Sequence, residues 1–290
     1  MKADLHLHST ASDGTYMPQA LVCRARETGI DVMALTDHDS TEGIAEAAFE
    51  AQRLGVRLIP GVELGCSTDS IKEIHILGYG IDPENEALVS FCRAWRQKRE
   101  ARAEAMVQRL AEAGKPVSLE RVRELARGVI ARPHVARALV EAGHATSVKD
   151  AFDKYLVPGR CGYVQREKLS VAQAVAMIAQ AGGVSVLAHP MEMRMSDMNI
   201  EALVCEWKKQ GLCGIEVYHP SADNRKLPFL YALARREGLL VTGGSDFHGE
   251  SVRQSGIGQE AQRWKTMDTD VQALMNAIAA QKERAQRCRV

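Results

Sequence analysis

Aromatic residues are scarce in this 290-residue chain, at 5% of the total, so its core must be built mainly from Val, Leu, Ile, Ala and Met. No two cysteines form a CxxC pair. The seven present, Cys23, Cys66, Cys92, Cys161, Cys205, Cys213 and Cys288, are odd in number and scattered. That argues against a disulfide scaffold or a cysteine-based zinc site and points to a reduced, cytoplasmic protein. The N-terminus, Met1-Lys2-Ala3-Asp4-Leu5-His6, has no apolar segment of the kind that directs secretion. No apolar run reaches the roughly 18 residues that a membrane span needs. Neither a GxGxxG turn after the first strand nor a Walker A sequence is present, so dinucleotide and P-loop chemistry lack support. Net charge is also missing, with 37 Lys plus Arg against 37 Asp plus Glu. A whole-molecule field for nucleic acid or membrane is thereby excluded, while local patches are not.

What the chain does have is 46% hydrophobic residues, enough for a sizeable core, and a regular alternation of short apolar runs with longer amphipathic ones. Strands are predicted at Ala3–His8, Asp31–Thr36, Arg57–Val62, Glu73–Gly80, Val184–His189, Gly214–Tyr218 and Leu239–Gly243. Helices are predicted between them, at Pro18–Thr28, Thr41–Leu54, Val171–Ala181, Ile200–Gln210 and Asn224–Glu237. Gly29, Gly55, Gly182, Gly211 and Gly238 stand where helices should end in the left-handed conformation. Pro18 suits a first helical position, and Ser170-Val171-Ala172-Gln173 reads as a capping box. The alternation implies an α/β fold with a parallel sheet, and seven strands suit a distorted (β/α)7, TIM-like barrel better than an open sheet.

The middle of the chain departs from this rhythm. Helical periodicity without strands is predicted over Glu84–Ala113, Leu119–Ala126, Pro133–Glu141 and Val148–Leu156. Residues 85–168 therefore read as a helical insertion, with 1–84 and 169–290 forming the barrel. From Ser90 to Ser170 there are 17 Lys plus Arg against 9 Asp plus Glu, leaving 20 against 28 elsewhere. A basic insertion and an acidic barrel thus cancel in the total. The charges from Arg93 to Arg102 on the long helix read as a solvated face.

The strongest chemical signal is His6-Leu7-His8. Residues two apart on a strand share a face, so both imidazoles can clasp one ion, although such a pair alone is also compatible with surface or core histidines. Its company is more informative. Asp13 follows in a loop, His38 lies in Thr36-Asp37-His38-Asp39, Glu63 ends Pro60-Gly61-Val62-Glu63, and His75 lies in the fourth strand. His189 precedes Pro190, and Asp246 and His248 lie in Ser245-Asp246-Phe247-His248. Nearly every predicted strand delivers a metal-ligand side chain near its end, where barrel enzymes build active sites. So many buried His, Asp and Glu would be costly unless they bound metal or one another.

Taken together, Asp4-Leu5-His6-Leu7-His8-Ser9, Leu35-Thr36-Asp37-His38-Asp39, Gly61-Val62-Glu63, His75, Ala188-His189-Pro190 and Ser245-Asp246-Phe247-His248 resemble the PHP (polymerase and histidinol phosphatase) domain. The resemblance spans residues 1–80 and 184–250. It implies a distorted seven-unit barrel and a centre of two or three divalent ions, with manganese expected and zinc or iron also compatible with mixed imidazole and carboxylate ligands. His6, His8, Glu63 and Asp246 would hold the first ion. Glu63 would bridge to a second, shared with His75 and His189, and Asp13, His38 and His248 would take a third. Some family members carry histidine where this chain has Asp13.

A phosphate ester attacked by metal-activated water needs no covalent intermediate. Asp246 would be catalytic as a ligand, and His219, at the end of the sixth strand, is a candidate general acid, with a substrate hydrogen bond or a simple structural role the other readings. Asp37 and Asp39 are expected to orient imidazoles, with N-capping of the following helix the other reading for Asp39. In the insertion, Arg132 and His134 stand at a predicted helix start, a ready phosphate site, and Lys115, Arg160 and Tyr163 lie in loops that could face the barrel mouth. The Arg-Pro-His helix start and later Gly-Tyr turn resemble one PHP subfamily of nucleotide phosphoesterases. That resemblance implies removal of the 3′-phosphate from 3′,5′-bisphosphonucleosides, or 5′-to-3′ degradation of short 5′-phosphorylated RNA. The rivals are a histidinol-phosphate phosphatase, against which the basic insertion argues, and a metal-dependent amidohydrolase, for which no strand-end Lys suited to carbamylation is seen. A non-catalytic PHP module that only binds partners is the third, and its mark would be an incomplete ligand set.

Overall fold

A computed structural model describes residues 1–126, 128–165, 167–250, 256–258 and 266–287. Seven strands lie side by side in chain order. They are β1 (Ala3–Leu7), β2 (Val32–Leu35), β3 (Arg57–Cys66), β4 (Ile74–Tyr79), β5 (Val184–Leu187), β6 (Gly214–Tyr218) and β7 (Leu240–Gly243). Beyond β7, Phe247 pairs with Leu7, and the His8 N–H donates to the Phe247 carbonyl at 3.1 Å, so the first and last strands nearly close a barrel. Each strand is made of largely buried, β-branched or aliphatic residues.

One expectation fails here. β4 runs antiparallel to both β3 and β5, whereas the other pairs are parallel. The reason is length. Only residues 67–73 separate β3 from β4, and a parallel return needs a crossover of about a dozen residues or more. A hairpin is the only short solution, and it reverses which end of β4 reaches the barrel mouth.

The barrel helices are α1 (Pro18–Glu27) and α2 (Ile44–Leu54), followed after the insertion by α7 (Val171–Gln180), α8 (Asp197–Lys209) and α9 (Lys226–Arg236). Their ends follow the sequence signals. Pro18 opens α1, and the five expected glycines all have positive φ. Ser170 and Gln173 exchange the two capping bonds at 3.2 and 2.9 Å. A further helix, α10 (Asp268–Arg287), goes beyond the predicted elements; it buries Val271, Leu274 and Ile278 against Leu77, Tyr79 and Val186. No helix among the described residues is long and apolar enough to cross a membrane.

Between β4 and β5 come α3 (Glu86–Glu112), α4 (Leu119–Ala126), α5 (Arg132–Glu141) and α6 (Val148–Ala151), the last continuing as a wider turn over Phe152–Leu156. Asn85 caps α3 by accepting from the Leu88 N–H. Two apolar groups meet along this helix. Leu88 and Cys92 join the main barrel core, while Ala103, Met106 and Leu110 pack with Val122, Val135 and Leu139 in a separate cluster. α3 therefore ties the helical segment to the barrel while holding a polar stripe over its mouth.

Candidate metal centre and its cavity

The β1 exit brings His6 and His8 to one face, as a two-residue repeat requires, and both are fully buried. His6 Nε2 lies 3.3 Å from Glu63 Oε2 and 3.4 Å from Asp246 Oδ1, and His8 Nε2 lies 3.2 Å from each. The other Glu63 oxygen, Oε1, is 2.9 Å from His75 Nδ1 and from His189 Nε2, which are 3.2 Å apart. Asp13 Oδ1 is 3.3 Å from His248 Nε2, and the pair joins His8 and His38 in a compact group. Every histidine and carboxylate singled out for metal binding thus falls in one cluster. Because β4 is reversed, His75, the second residue of that strand, reaches the same mouth as the C-terminal ends of the parallel strands.

The donor set fits divalent cations better than a closed hydrogen-bond network. His6 Nε2, both nitrogens of His8, Asp13 Oδ1 and Glu63 Oε2 are buried without a hydrogen bond of acceptable geometry. Such groups are rarely left unpaired. Here they converge, from several directions, on the spaces that ligand atoms around a common ion would leave. His6, His8, Glu63 and Asp246 could hold one ion, and His8, Asp13, His38 and His248 another. Glu63 with His75 can serve a third in company with His189 or His38.

A second tier of buried groups sets these side chains. Glu216, in the middle of β6, accepts from His6 Nδ1 at 2.9 Å and from the His189 N–H at 2.8 Å. This fixes the His6 tautomer so that Nε2 is the nitrogen left to ligate an ion. Glu216 was not among the expected site residues, although a Glu inside Gly-Ile-Glu-Val-Tyr was a visible anomaly. Asp4 accepts from the Ser245 N–H, the Ser245 hydroxyl and the Gly258 N–H at 2.6–2.9 Å, fastening the β7 exit to β1. Gly244 allows that approach, since a Cβ there would sit 2.4 Å from the His6 Cβ. Asp39, His189 and Asp246 all have positive φ, a strained geometry costing on the order of 1–3 kcal/mol each, clustered as at other functional sites. Glu216→Ala is expected to weaken metal affinity about 10- to 100-fold, read by chelator competition, because the His6 ring loses its orienting acceptor.

Two expectations change. Asp37 does not orient an imidazole: it accepts from the Ser9 N–H and hydroxyl and from the Ser12 hydroxyl at 2.5–2.8 Å, shaping the loop that carries Asp13. Asp39 does not cap α2, whose N-cap is Gly43; it accepts from the Gly65 N–H and from the Arg99 guanidinium. His219 is buried just beyond β6, with a ring nitrogen within 4.8 Å of carboxylate oxygens of Glu192 and Asp246. Its Nδ1 receives the Ser221 N–H at 3.0 Å, which leaves Nε2 to donate to Asp246 Oδ2 at 3.3 Å.

Burial alone would raise Glu63 and Asp246, but the surrounding imidazoles outweigh it and hold both well below the usual carboxylate range. Burial likewise opposes charge on His8, yet Asp246 and Glu63 raise it from 6.5 to about 9. Because the folded pKa is the higher one, this contribution to the metal-free protein is complete below pH 6.5 and fades as pH rises through about 9. A cation held by His8 would have to displace the same proton. The thermal midpoint without metal should therefore fall between those pH values, while the upshift produced by Mn²⁺ grows. A Mn²⁺ shift independent of pH would show that cation and proton do not compete at His8.

Above the cluster opens a cavity of about 820 Å³, within the range of small-molecule sites. Asp13, His38, His75 and His189 form its floor. Arg132 and Tyr163 line it as expected. His134 does not: its Nδ1 turns back to accept the Ala131 N–H at 3.1 Å, so it caps its own helix, and burial lowers it to about 4. Lys115 and Arg160 lie outside the lining. In their place stand Arg99 and Arg102 from α3, with Lys72, Lys168 and Arg194. The α3 charges are thus not simply a solvated face; position along the helix puts Arg99 and Arg102 inward, and single-helix periodicity could not say toward what. Glu73 accepts from Arg132 at 3.0 Å and from Lys168, and although burial raises its carboxyl, Lys168, His75 and Arg132 hold it at about 2.

The sequence profile of the PHP domain matches residues 4–156 of this chain. The chain belongs to the PHP domain family. It is 40% identical over 248 residues to the 5′-3′ exoribonuclease Rnm of Escherichia coli, covering 84% of each chain. It is 38% identical over 257 residues to the 3′,5′-nucleoside bisphosphate phosphatase of Chromobacterium violaceum, covering 87% of this chain and 90% of that one. A crystal structure from Bifidobacterium adolescentis, assigned as a metal-dependent phosphoesterase, superposes with a TM-score of 0.81 at 33% identity, covering 95% and 96% of the two chains. As a PHP protein the chain is a metal-dependent phosphoric ester hydrolase, and the convergent imidazoles and carboxylates are candidate sites for its divalent cations.

Proposed function

We propose that this PHP enzyme hydrolyses phosphate from nucleotides, and that the 3′-phosphate of a 3′,5′-bisphosphonucleoside such as 3′,5′-bisphosphoadenosine is its best substrate. The observation that carries this reading is a single cavity with a metal-type cluster on its floor and a paired cation, Arg132 with Lys168, on its wall. A site for one phosphate needs only the floor. The second cationic group calls for a second anion on the same substrate, and residues 85–168 would serve as the substrate-binding insertion. The likeness to the Chromobacterium violaceum phosphatase supports this reading.

His6, His8, Glu63 and Asp246 would hold one ion, Glu63, His75 and His189 a second, and Asp13, His38 and His248 a third, with manganese the expected metal. Divalent cations bound there supply Lewis-acid stabilisation of phosphoryl charge and activation of the attacking water. The remaining work belongs to the chain. Glu73 occupies Arg132 and Lys168 in the free protein, holding both cations in place until a substrate phosphate competes for them. Tyr163 closes one side of the cavity. His219 acts through Asp246, fixing Oδ2 so that Oδ1 faces His6 and His8.

A second reading, 5′-to-3′ cleavage of short 5′-phosphorylated RNA, is favoured by the further cations Arg99 and Arg102 on the α3 side of the cavity and by the likeness to Rnm. Phosphate or nucleotide release from 3′,5′-bisphosphoadenosine, 5′-AMP, histidinol phosphate and a short 5′-phosphorylated RNA, run in parallel with Mn²⁺, separates the alternatives. The bisphosphonucleoside should exceed 5′-AMP in kcat/KM by about 10-fold or more, the scale of one charge-assisted contact. Equal rates on these two would remove the case for a two-phosphate substrate.

A further inference from the structure

We infer that a pocket beside Trp95 is a subsite for the second nucleotide of a short single-stranded oligonucleotide, next to the site where the first is cut. This rests on the reading of the enzyme as a nucleotide phosphoesterase and names how far its substrate extends. The pocket holds about 170 Å³ between α3 and the segment bearing Gln165 and Glu167, and Trp95 and Lys98 line it. Arg99, Arg102 and Gln165 line both this pocket and the large cavity, so the two adjoin. Along α3, Trp95, Lys98, Arg99 and Arg102 stand at i, i+3, i+4 and i+7, one continuous stripe.

The chemistry of that stripe matches a nucleotide. Phe91 backs the Trp95 indole at a centroid distance of 4.3 Å, and Trp95 packs at the edge of the barrel core, so the ring is held rigidly. Its pocket side carries the Lys98 ammonium, 4.4 Å from the ring centroid, which is paired with Glu167. That pair is exposed, and exposed ion pairs contribute little, so a base can displace the ammonium from the ring face. Stacking on an aromatic face with a neighbouring cation for the phosphate is how single strands are held without regard to sequence. Arg99, whose guanidinium also holds Asp39, and Arg102, whose Nε donates to the Val164 carbonyl at 2.8 Å, line both cavities and would add positive charge near the internucleotide phosphate, and Gln165 offers an amide to a base edge. A bisphosphonucleoside would leave this pocket empty; a 5′-phosphorylated trinucleotide would fill it.

The test compares kcat/KM for a 5′-phosphorylated trinucleotide and for 3′,5′-bisphosphoadenosine in the wild-type enzyme, Trp95→Leu and Trp95→Phe. The trinucleotide-to-bisphosphonucleoside ratio should fall about 5- to 150-fold in Trp95→Leu, the range for one lost base stack, and stay close to wild type in Trp95→Phe. Ala101→Glu, at an exposed helical position lining the same pocket, should lower the ratio in the same direction and covers the case in which Trp95→Leu does not fold. An unchanged ratio in the folded variants overturns the subsite. If neither substrate is turned over, the phosphoesterase reading on nucleotides fails, and equilibrium binding of the trinucleotide to the chelated protein still decides the subsite. Weaker binding by Trp95→Leu with retention by Trp95→Phe supports it, and equal affinity in all three removes it.

Discussion

Asp246→Asn is expected to lower kcat by about three orders of magnitude, the scale for losing a preorganised group that stabilises transition-state charge. The substitution preserves shape, so the fold should survive. What it removes is negative charge at a point faced by His6 Nε2, His8 Nε2 and His219 Nε2 within 3.2–3.4 Å. Bound metal per chain, measured by elemental analysis after purification with Mn²⁺, should fall together with activity. Chelation of the wild-type enzyme should reproduce the loss, and added Mn²⁺ should reverse it in the wild type alone. A variant that retained full metal content and near-normal turnover would remove Asp246 from the proposed ligand set.

Arg132→Ala should raise KM for a two-phosphate substrate about 10- to 100-fold with a smaller change in kcat. Arg132 would hold a phosphate remote from the reacting one and bind it similarly in ground and transition states. Lys168→Ala should act in the same direction, because both cations are held by Glu73 on the same wall. His38→Ala should show the opposite split, since His38 lies on the cavity floor with Asp13 and His248. Added salt should imitate the arginine change weakly by screening. If KM were untouched by Arg132→Ala, the substrate would be set by the barrel loops alone, and histidinol phosphate would return as a serious candidate.

Much of this was legible in the linear sequence because the signals are local. Strand alternation put His6 and His8 on one face, and glycines with positive φ closed helices where expected. Ligand-type residues at successive strand exits announced the cluster, and their family pattern named the chemistry. The capping box at Ser170 depended only on residues within one turn. In each case the deciding interaction spans a few residues, or the residue type itself carries the information.

Other features depend on partners far apart in the chain. His6 is oriented by Glu216, 210 residues away, and no local pattern links them. Asp37 looked like an imidazole orienter because it flanks His38, but its carboxylate satisfies the Ser9–Ser12 loop instead, and Asp39 holds an arginine from α3. His134 stands beside Arg132 in sequence, yet one turns back onto its helix start while the other enters the cavity. The sequence by itself determined the strands, most helix ends and the residue types of the candidate metal cluster, since propensity, periodicity and capping act over a turn or a strand. Tertiary structure alone decided which charges face the cavity, which buried carboxylate sets which imidazole, and that His75 arrives by a reversed strand, because burial and hydrogen bonding are settled only when distant segments compete for the same space.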